Sequence, residues 1–549
     1  MLRLNNLVTE LVKTGQCDGK VEFDNPRSGW VLFLVETERG EDGRISVTLD
    51  SAELVMKRRG NEFHAIRFLE RGRHALHLAS SGGCPARSLS IRTIPEVIYA
   101  NYPSRPNFES FGSYDWEFLN RIGMLDAVNV LITGDPGDWT CEWVREGKRV
   151  IQQVAVPGIR KDDPQTAESI HDYWSGSRGW THPCSSGLIA DEFLTSRCEM
   201  YPVWVEAIER LVTGGERFFY PYLGGDPVAL RPFLEPLMGL PCRFADEVYL
   251  REQPTKEGAE GLIEERLVRH VRDMEERVPG ITSRLVLVLG FLSGPPETLN
   301  ADPSVNYKVF MDMQFHRIAT DPAFKDLWGI EEYLSSYADE EYLRWAARLF
   351  RHYCLDGRTD RVTSDSYLLD HIRNPDFTGG LEGWEVREAE PGSTGTRREE
   401  GYGWLEGRYP RSTEGEYFFW MRRSSRGPNT LSQPIRGLEP GRAHSVKMYV
   451  GDGSDLTNPE IDPISIEVSG SEFIEEYSFQ GSFPNCYSHH IDRYGDTRTY
   501  FNYMRRVFRP ENESAVLSIS DWSDERGPGS RPGQVLILNF VEVEPFYTG

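Results

Sequence analysis

A change in hydrophobic period near residue 94 restricts the fold of this 549-residue chain more than any other feature. From residue 94 to 372, short apolar runs alternate with amphipathic stretches, which is typical of repeated strand–helix units and a parallel sheet. The predicted strands are EVIYANYP (96–103), AVNVLITG (127–134), RVIQQVAVPG (149–158), GLIADEF (187–193), RFFYPYLGG (217–225), DEVYLREQP (246–254), RLVLVLGFLSG (284–294) and LWGIEEYLSS (327–336). Eight such units over about 275 residues predict a (β/α)8 barrel, or TIM barrel.

The segments on either side of this pattern lack helical periodicity and predict antiparallel sheets. Residues 1–93 contain short alternating runs separated by Gly, Asn and Asp turns, and residues 373–549 are rich in aromatic and turn residues. We therefore predict three domains: an N-terminal β-sandwich over 1–93, a catalytic (β/α)8 barrel over 94–372, and a C-terminal β-sandwich or jelly roll over 373–549.

The charge balance narrows the range of partners. The chain carries 61 Lys and Arg against 85 Asp and Glu, and the resulting formal charge of −24 repels nucleic-acid backbones and anionic membrane surfaces. No apolar run reaches the ~18 residues of a membrane span, and the N-terminus lacks the apolar core of a signal peptide. We expect no nucleic-acid partner and no membrane insertion. We also expect a cytoplasmic protein, or a secreted or periplasmic one if a leader has been removed.

The eight cysteines form no recognisable metal or redox motif. They are scattered, with no CxxC and no Cys/His cluster at zinc spacing. We therefore expect mostly buried thiols, no metal in the barrel and no cofactor.

Polar residues at the carboxyl ends of the predicted strands mark the candidate site, because the βα loops of a TIM barrel form its concave face. These ends supply Asp191 and Glu192 on strand four, Arg251 and Glu252 on strand six, and Glu331, Glu332 and Tyr333 on strand eight. The predicted mouth of the barrel is thus acidic and aromatic.

Paired carboxyl groups of this kind point to glycoside hydrolysis, in which one protonated group assists departure and one ionised group attacks or activates water. Glu192 is the predicted acid, because the like charge of Asp191 and nearby aromatic cover would retain its proton. Asp191 would orient it. The second carboxylate is Glu332 or Glu252, with Glu331 as a further alternative, since adjacent residues in a strand point to opposite faces.

Aromatic and polar residues near the same ends suit sugar recognition, because the C–H faces of pyranose rings pack on aromatic rings. The predicted substrate-binding residues are Tyr102, Trp180, His182, Tyr222, Arg251, Trp328, Glu331 and Tyr333. Core packing is the alternative explanation for the aromatic members. A salt bridge between Arg251 and Glu192 is the alternative for those charges.

The end of strand four resembles that of the retaining TIM-barrel glycosidases, in which an Asn-Glu dipeptide supplies the acid; here the dipeptide is Asp191-Glu192. The nucleophile of that clan is a Glu that ends strand seven, where this chain reads Leu287-Val288-Leu289-Gly290-Phe291. An Asp-Glu pair also resembles that of the substrate-assisted hexosaminidases, whose acetamido sugar attacks its own anomeric carbon. That second resemblance implies no nucleophile on strand seven.

The C-terminal segment resembles the jelly-roll carbohydrate-binding modules appended to polysaccharide hydrolases. The resemblance is carried by Asn374-Pro375-Asp376-Phe377, Gly380-Leu381-Glu382-Gly383-Trp384, residues 435–442 and residues 535–543. It implies glycan binding and a structural calcium between the first and last strands, where this chain offers Asn539 and Glu542.

These observations together predict a glycoside hydrolase acting on a poly- or oligosaccharide. The alternative is a non-catalytic glycan-binding or scaffold protein that has kept a barrel. Two strand-end carboxylates facing one open pocket would favour the enzyme. Carboxylates sealed by arginines would favour the alternative.

Overall fold

The computed structural model describes residues 1–15, 19–38, 44–81, 86–409, 412–485, 494–524 and 526–548. At its centre, eight parallel strands close into a barrel in chain order, and the first strand pairs with the last. Barrel strands 1 to 8 are Glu96–Tyr99, Val130–Thr133, Arg149–Ala155, Gly187–Leu194, Phe218–Gly224, Phe244–Val248, Leu285–Gly290 and Gly329–Tyr333. Each overlaps a predicted run, so the barrel prediction is confirmed.

Helices follow the barrel strands and cover the outside of the barrel. Their bounds are Trp116–Arg121, Met124–Ala127, Trp139–Arg145, Ala167–Ser175, Arg178–Thr181, Tyr201–Val212, Pro227–Leu237, Lys256–Ile263, His270–Arg277, Tyr307–Thr320 and Glu340–Leu349. The helix Tyr201–Val212 shows why such stretches are helical: Trp204, Ile208 and Leu211 recur at helical spacing and are buried. Strand 7 is buried along its whole length, as expected for a parallel strand covered on both faces.

The N-terminal region forms two antiparallel sheets that share an apolar core including Phe33, Leu76 and Ile91. One sheet contains, in spatial order, Leu2–Arg3, Thr9–Thr14, Ala86–Ile94, Gly29–Thr37, Glu62–Leu69 and Lys57–Arg59. The other contains Gly19–Asn25, Gly72–Ser81, Arg44–Leu49 and Ala52–Glu53. The alternation of buried and exposed residues along Gly19–Asn25 matches a strand with one face on the core.

The C-terminal region also forms two antiparallel sheets around its own apolar core. The smaller sheet contains Glu385–Arg387, Thr430–Arg436, Ser514–Ser520 and Ser465–Val468. The larger contains Thr394–Arg398, Tyr417–Arg422, Val535–Pro545, His444–Asp452, Tyr500–Pro510 and Ser471–Phe473, with Phe479–Pro484 also paired to Tyr500–Pro510. The chain is thus a multidomain protein built on a parallel barrel, while the exact boundaries 1–93, 94–372 and 373–549 stay predictions.

Two cysteines depart from the expectation of buried thiols. Cys141 and Cys184, which are 43 residues apart in the chain, form a disulfide. The prediction was wrong here because spacing along the chain does not reveal that a barrel helix and the turn before strand 4 lie side by side. Cys242 and Cys354 are buried thiols as expected, whereas Cys198 is exposed. The remaining cysteines, at 17, 84 and 486, lie outside the described residues.

None of the described helices is long and apolar enough to cross a bilayer. The calcium expected in the C-terminal region is not tested by the structure. Glu542, one of its two expected ligands, lies 3.3 Å from the buried ammonium of Lys447. The amide of Asn539 donates to the carbonyls of Gly415 and Tyr417. A lysine therefore already supplies positive charge beside Glu542.

Candidate active site

A β-bulge shapes the carboxyl end of barrel strand 4. The register with strand 5 shifts between Ala190 and Phe193, so strand 4 carries one extra residue there. The register shift includes Glu192, whose φ of 71° lies in the left-handed region. A side chain in that region costs about 1–2 kcal/mol, and such outliers concentrate at functional sites. The bulge leaves Glu192 exposed and its neighbour Asp191 half-buried.

Two more carboxyl groups lie near this bulge. Tyr222 on strand 5 donates a hydrogen bond to Glu331 on strand 8, and this bond crosses the barrel interior because those strands are not neighbours. Glu247 lies near the end of strand 6 and accepts a hydrogen bond of 2.9 Å from the hydroxyl of Tyr249. We call Asp191, Glu192, Glu247 and Glu331 the acidic cluster.

Burial raises the pKa values of three carboxyl groups of the acidic cluster, those of Asp191, Glu247 and Glu331. Burial raises the pKa of Glu247 to about 7, and the charges of Asp191 and Glu192 add to this effect although the Tyr249 hydrogen bond opposes it. Burial also raises the pKa of Asp191, to which the charge of Glu192 contributes. Burial raises the pKa of Glu331, with further contributions from Glu247 and Asp191. At neutral pH Glu247 is therefore partly protonated, and burial favours the protonated form of Glu331 as well.

Tyrosines surround these carboxyl groups. The ring of Tyr333 is stacked on that of Tyr249, with centroids 5.4 Å apart, and lies 6.0 Å from the ring of Tyr222. Tyr333 is half-buried. Among the predicted substrate-binding residues, Tyr333 therefore lies beside the acidic cluster with part of its surface exposed.

Three of the predicted site residues, Glu332, Glu252 and Tyr222, are buried. Glu332 follows the inward-facing Glu331 in the strand, so it points away from the barrel interior, and it is fully buried. Glu252 is buried in the loop after strand 6, where it accepts a 2.8 Å bond from the backbone N–H of Ala301. Tyr222 is fully buried against Glu331. Their burial does not favour Glu332 or Glu252 as the second carboxylate or Tyr222 as a sugar contact, and these roles stay predictions.

Three other predicted sugar contacts lie at the opposite end of the barrel. Trp180 and His182 precede strand 4, and Arg217, just before strand 5, contacts the Trp180 ring and donates to the carbonyl of His182. Trp328 precedes strand 8, where its ring lies 3.8 Å from the guanidinium of Arg243. Residues that precede a barrel strand lie at the amino end of the barrel, away from the acidic cluster, so this position does not favour the three sugar contacts, which stay predictions.

Two further predicted contacts are held by neighbouring side chains. The Tyr102 ring packs edge-on against Trp139 at 4.7 Å and Trp116 at 5.4 Å, which leaves it 9% exposed. Arg251 forms a salt bridge with Glu414 of the C-terminal region rather than with Glu192. Neither is an open surface for a sugar.

The sequence-based selection omitted Glu247 and Tyr249. The sequence predicts a strand over 246–254, whereas the strand spans Phe244–Val248, so the residues predicted at its carboxyl end, Arg251 and Glu252, lie in the loop beyond it. The period of two that links Ala245, Glu247 and Tyr249 is the signal in the sequence that could have identified this inward face.

Two cavities lie away from the acidic cluster. One of about 810 Å³ lies outside the barrel, where Arg121, Arg348 and Asp356 meet Tyr477 and Tyr547 of the C-terminal region. Another of about 290 Å³ lies on the C-terminal sheet.

Comparisons with known proteins give remote structural neighbours. No family model matches the chain, and no curated protein matches it. A GH2 β-galacturonidase from Eisenbergiella tayi is 11% identical, covering 66% of this chain and 72% of its own, with a TM-score of 0.33. A thermostable GH51 α-L-arabinofuranosidase from Thermotoga petrophila RKU-1 is 9% identical, covering 78% and 97%, with a TM-score of 0.33. The module TmCBM61, solved with β-1,4-galactotriose, is 13% identical, covering 32% and 99%, with a TM-score of 0.18. Because these values are low, we infer function from the residues of the site alone.

Proposed function

We propose that this protein hydrolyses glycosidic bonds of an oligo- or polysaccharide at the mouth of its barrel. The observation that carries the proposal is the acidic cluster, in which a carboxyl group with a pKa of about 7 lies within electrostatic reach of others that end different strands. Glycoside hydrolysis needs this combination of one proton donor and one ionised carboxylate near neutral pH.

Glu247 is the proposed acid. It is half-buried, so desolvation retains its proton, whereas Glu192 is exposed and less suited to that role. This assignment revises the prediction of Glu192 as the acid. Asp191 is the proposed ionised partner, since the side-chain amide of Gln153 donates to it at 3.1 Å and fixes its orientation. Glu192 then provides a second negative charge and a solvent-facing contact for sugar hydroxyls.

The proton and electron balance follows from these roles. Glu247 gives its proton to the glycosidic oxygen as the bond to the anomeric carbon breaks. If Asp191 attacks that carbon, water then cleaves the resulting glycosyl ester, supplies the new hydroxyl group and gives a proton to Glu247. If Asp191 instead takes a proton from the attacking water, that water supplies the new hydroxyl group, Asp191 releases its proton to solvent and Glu247 takes one from solvent. Glu247 recovers a proton at the end of the cycle. The anomeric configuration of the product, followed by NMR, distinguishes the two roles of Asp191.

A panel of oligosaccharides and aryl glycosides tests the proposal. We expect hydrolysis of at least one substrate, and a loss of about 10²–10⁴-fold in Glu247→Gln and in Asp191→Asn. Glu216→Gln is the matched control, because Glu216 is exposed at the other end of the barrel, just before strand 5. Equal activity in Glu247→Gln and in the wild type would remove the assigned role. An inactive wild type across the panel would remove the enzyme.

Glycan binding without cleavage is the second candidate, and the cavity on the C-terminal sheet favours it. That cavity of about 290 Å³ is lined by polar and aromatic side chains, among them Trp420, Tyr402, Arg397 and Glu399. An aromatic ring beside charged hydrogen-bonding groups suits a sugar. Glycan affinity that persists in Glu247→Gln but is lost in Trp420→Ala would assign binding to this cavity.

A further inference from the structure

A short segment of the C-terminal region pairs with the loop that follows barrel strand 7. The backbone N–H of Thr298 donates to the carbonyl of Gly407 at 2.8 Å, and the N–H of Tyr409 donates to the carbonyl of Thr298 at 2.9 Å. Gly407 has a φ of +88°, and a Cβ there would lie 2.2 Å from the carbonyl oxygen of Pro296. This close approach therefore requires glycine.

Buried ion pairs fix the same segment. The guanidinium of Arg408 contacts Glu406 at 2.8 Å and also binds Asp376, and its side chain is 2% exposed. The salt bridge between Arg251 and Glu414 joins the loop after strand 6 to the chain just beyond. The 407–409 segment is thus held against the loops after strands 6 and 7.

Tyr409 is the residue of this segment that packs on the barrel. Its ring is half-buried and packs against the apolar core of the barrel. The backbone contact with Thr298 puts Tyr409 on the side of the barrel mouth where strands 6 and 7 end, and Glu247 lies near the end of strand 6. Burial raises the pKa of the Tyr409 phenol, and the charges of Glu297 and Glu247 contribute. Among the residues that the structure describes, none forms a hydrogen bond with the Tyr409 hydroxyl. The Tyr409 hydroxyl is therefore available to donate a hydrogen bond to a ligand.

We propose that Tyr409 is a substrate-positioning residue that the C-terminal region supplies to the barrel mouth, where it contacts the sugar on the leaving-group side. The proposal rests on the hydrolase function above. Glu247 protonates the leaving oxygen, so a side chain next to Glu247 on the strand 6 and strand 7 side meets the sugar attached to that oxygen. The C-terminal region would then take part in substrate selection at the barrel as well as in any glycan binding of its own.

The test compares an oligosaccharide with an activated aryl glycoside of the same non-reducing sugar. We expect Tyr409→Ala to raise KM for the oligosaccharide about tenfold, because the contact is lost. Tyr409→Phe should raise it a few-fold, as expected for the loss of one hydrogen bond of about 1 kcal/mol. Hydrolysis of the aryl glycoside should change less than about twofold, since its leaving group lacks the sugar hydroxyls that this contact uses. Tyr173→Ala is the control, because Tyr173 is 49% exposed on an outer helix.

An unchanged ratio of kcat/KM for the two substrates in both Tyr409 variants would overturn the inference. A wild type that cleaves neither substrate would instead overturn the hydrolase function. In that case calorimetry with the oligosaccharide decides the inference, because equal affinity of the wild type and Tyr409→Ala would exclude a contact. Matching thermal unfolding of Tyr409→Phe and the wild type separates these results from a folding defect.

Discussion

At the scale of single residues, the raised pKa of Glu247 affects stability and activity in opposite directions. The pKa lies near 7 in the folded chain and near the ordinary glutamate value of 4.5 in the unfolded one. Between these values the folded state holds more protons than the unfolded state, so stability falls as the pH rises. The loss of stability caused by ionising the buried Glu247 is absent below about pH 4.5 and complete above about pH 7, where it amounts to at most about 3 kcal/mol.

Glu247→Gln should therefore be more stable than the wild type at pH 8 and equally stable at pH 4, because a neutral amide has no charge to desolvate. Urea denaturation at the two pH values measures the difference, which we expect to be about 1–3 kcal/mol at pH 8. Glu216→Gln should show no such pH dependence. A variant that is destabilised at pH 8 would contradict the raised pKa.

Only some of the site residues could be predicted from the sequence. The period of two in a strand shows that just one of Glu331 and Glu332 faces the interior, and the hydrogen bond from Tyr222 identifies it as Glu331. Glu247 could not be selected, because choosing the last residues of a strand needs its boundary to within a residue. Trp180 and Trp328 look like sugar contacts in the sequence, but the direction of the chain places both at the far end of the barrel.

At the scale of elements, strand 4 differs from its neighbours through the bulge at Asp191 and Glu192. The eight strands could be predicted because their apolar runs are required on both faces of a covered parallel sheet. The bulge could not, since nothing in GLIADEF marks the extra residue. It depends on tertiary pairing with strand 5, which outweighs the cost of a left-handed Glu.

Substitutions at Glu192 should report this backbone strain. Glycine adopts a φ of 71° freely, whereas a β-branched residue is strongly disfavoured there. We expect Glu192→Val to be less stable than Glu192→Gly by about 1–2 kcal/mol, measured by the denaturation midpoint. Equal stability of the two variants would mean that the bulge rearranges. In an ordinary extended strand the order would be reversed, because valine is favoured there.

At the scale of the whole molecule, buried ion pairs join the barrel to the C-terminal region. Lys308, on the barrel helix Tyr307–Thr320, lies 3.0 Å from Glu341 and 2.6 Å from Glu544 of the last strand. Lys447 binds the same Glu544 and also Glu542. All of these side chains are fully buried. The sequence could not indicate these pairs, because their members are far apart along the chain.

Removal of one member should destabilise both regions together. Lys308→Met removes the ion-pair partner of Glu341 and one of the two ion-pair partners of Glu544. We expect the free energy of unfolding to fall by about 3–5 kcal/mol. Lys325→Met, at an exposed position, is the control and should change stability by less than about 0.5 kcal/mol. Calorimetry should show the barrel and C-terminal transitions shifting to lower temperature together. A shift of one transition alone would contradict a shared buried interface.

The dependence of rate on the leaving group tests most directly whether Glu247 is the acid of a glycoside hydrolase. The dinitrophenolate group of a dinitrophenyl glycoside leaves without being protonated, whereas the hydroxyl oxygen of a sugar leaves only when it is protonated. Glu247→Gln should lower kcat/KM for the oligosaccharide by about 10²–10⁴-fold and for the dinitrophenyl glycoside by less than about tenfold. Equal losses on both substrates, or none on either, would contradict the assignment of Glu247 as proton donor.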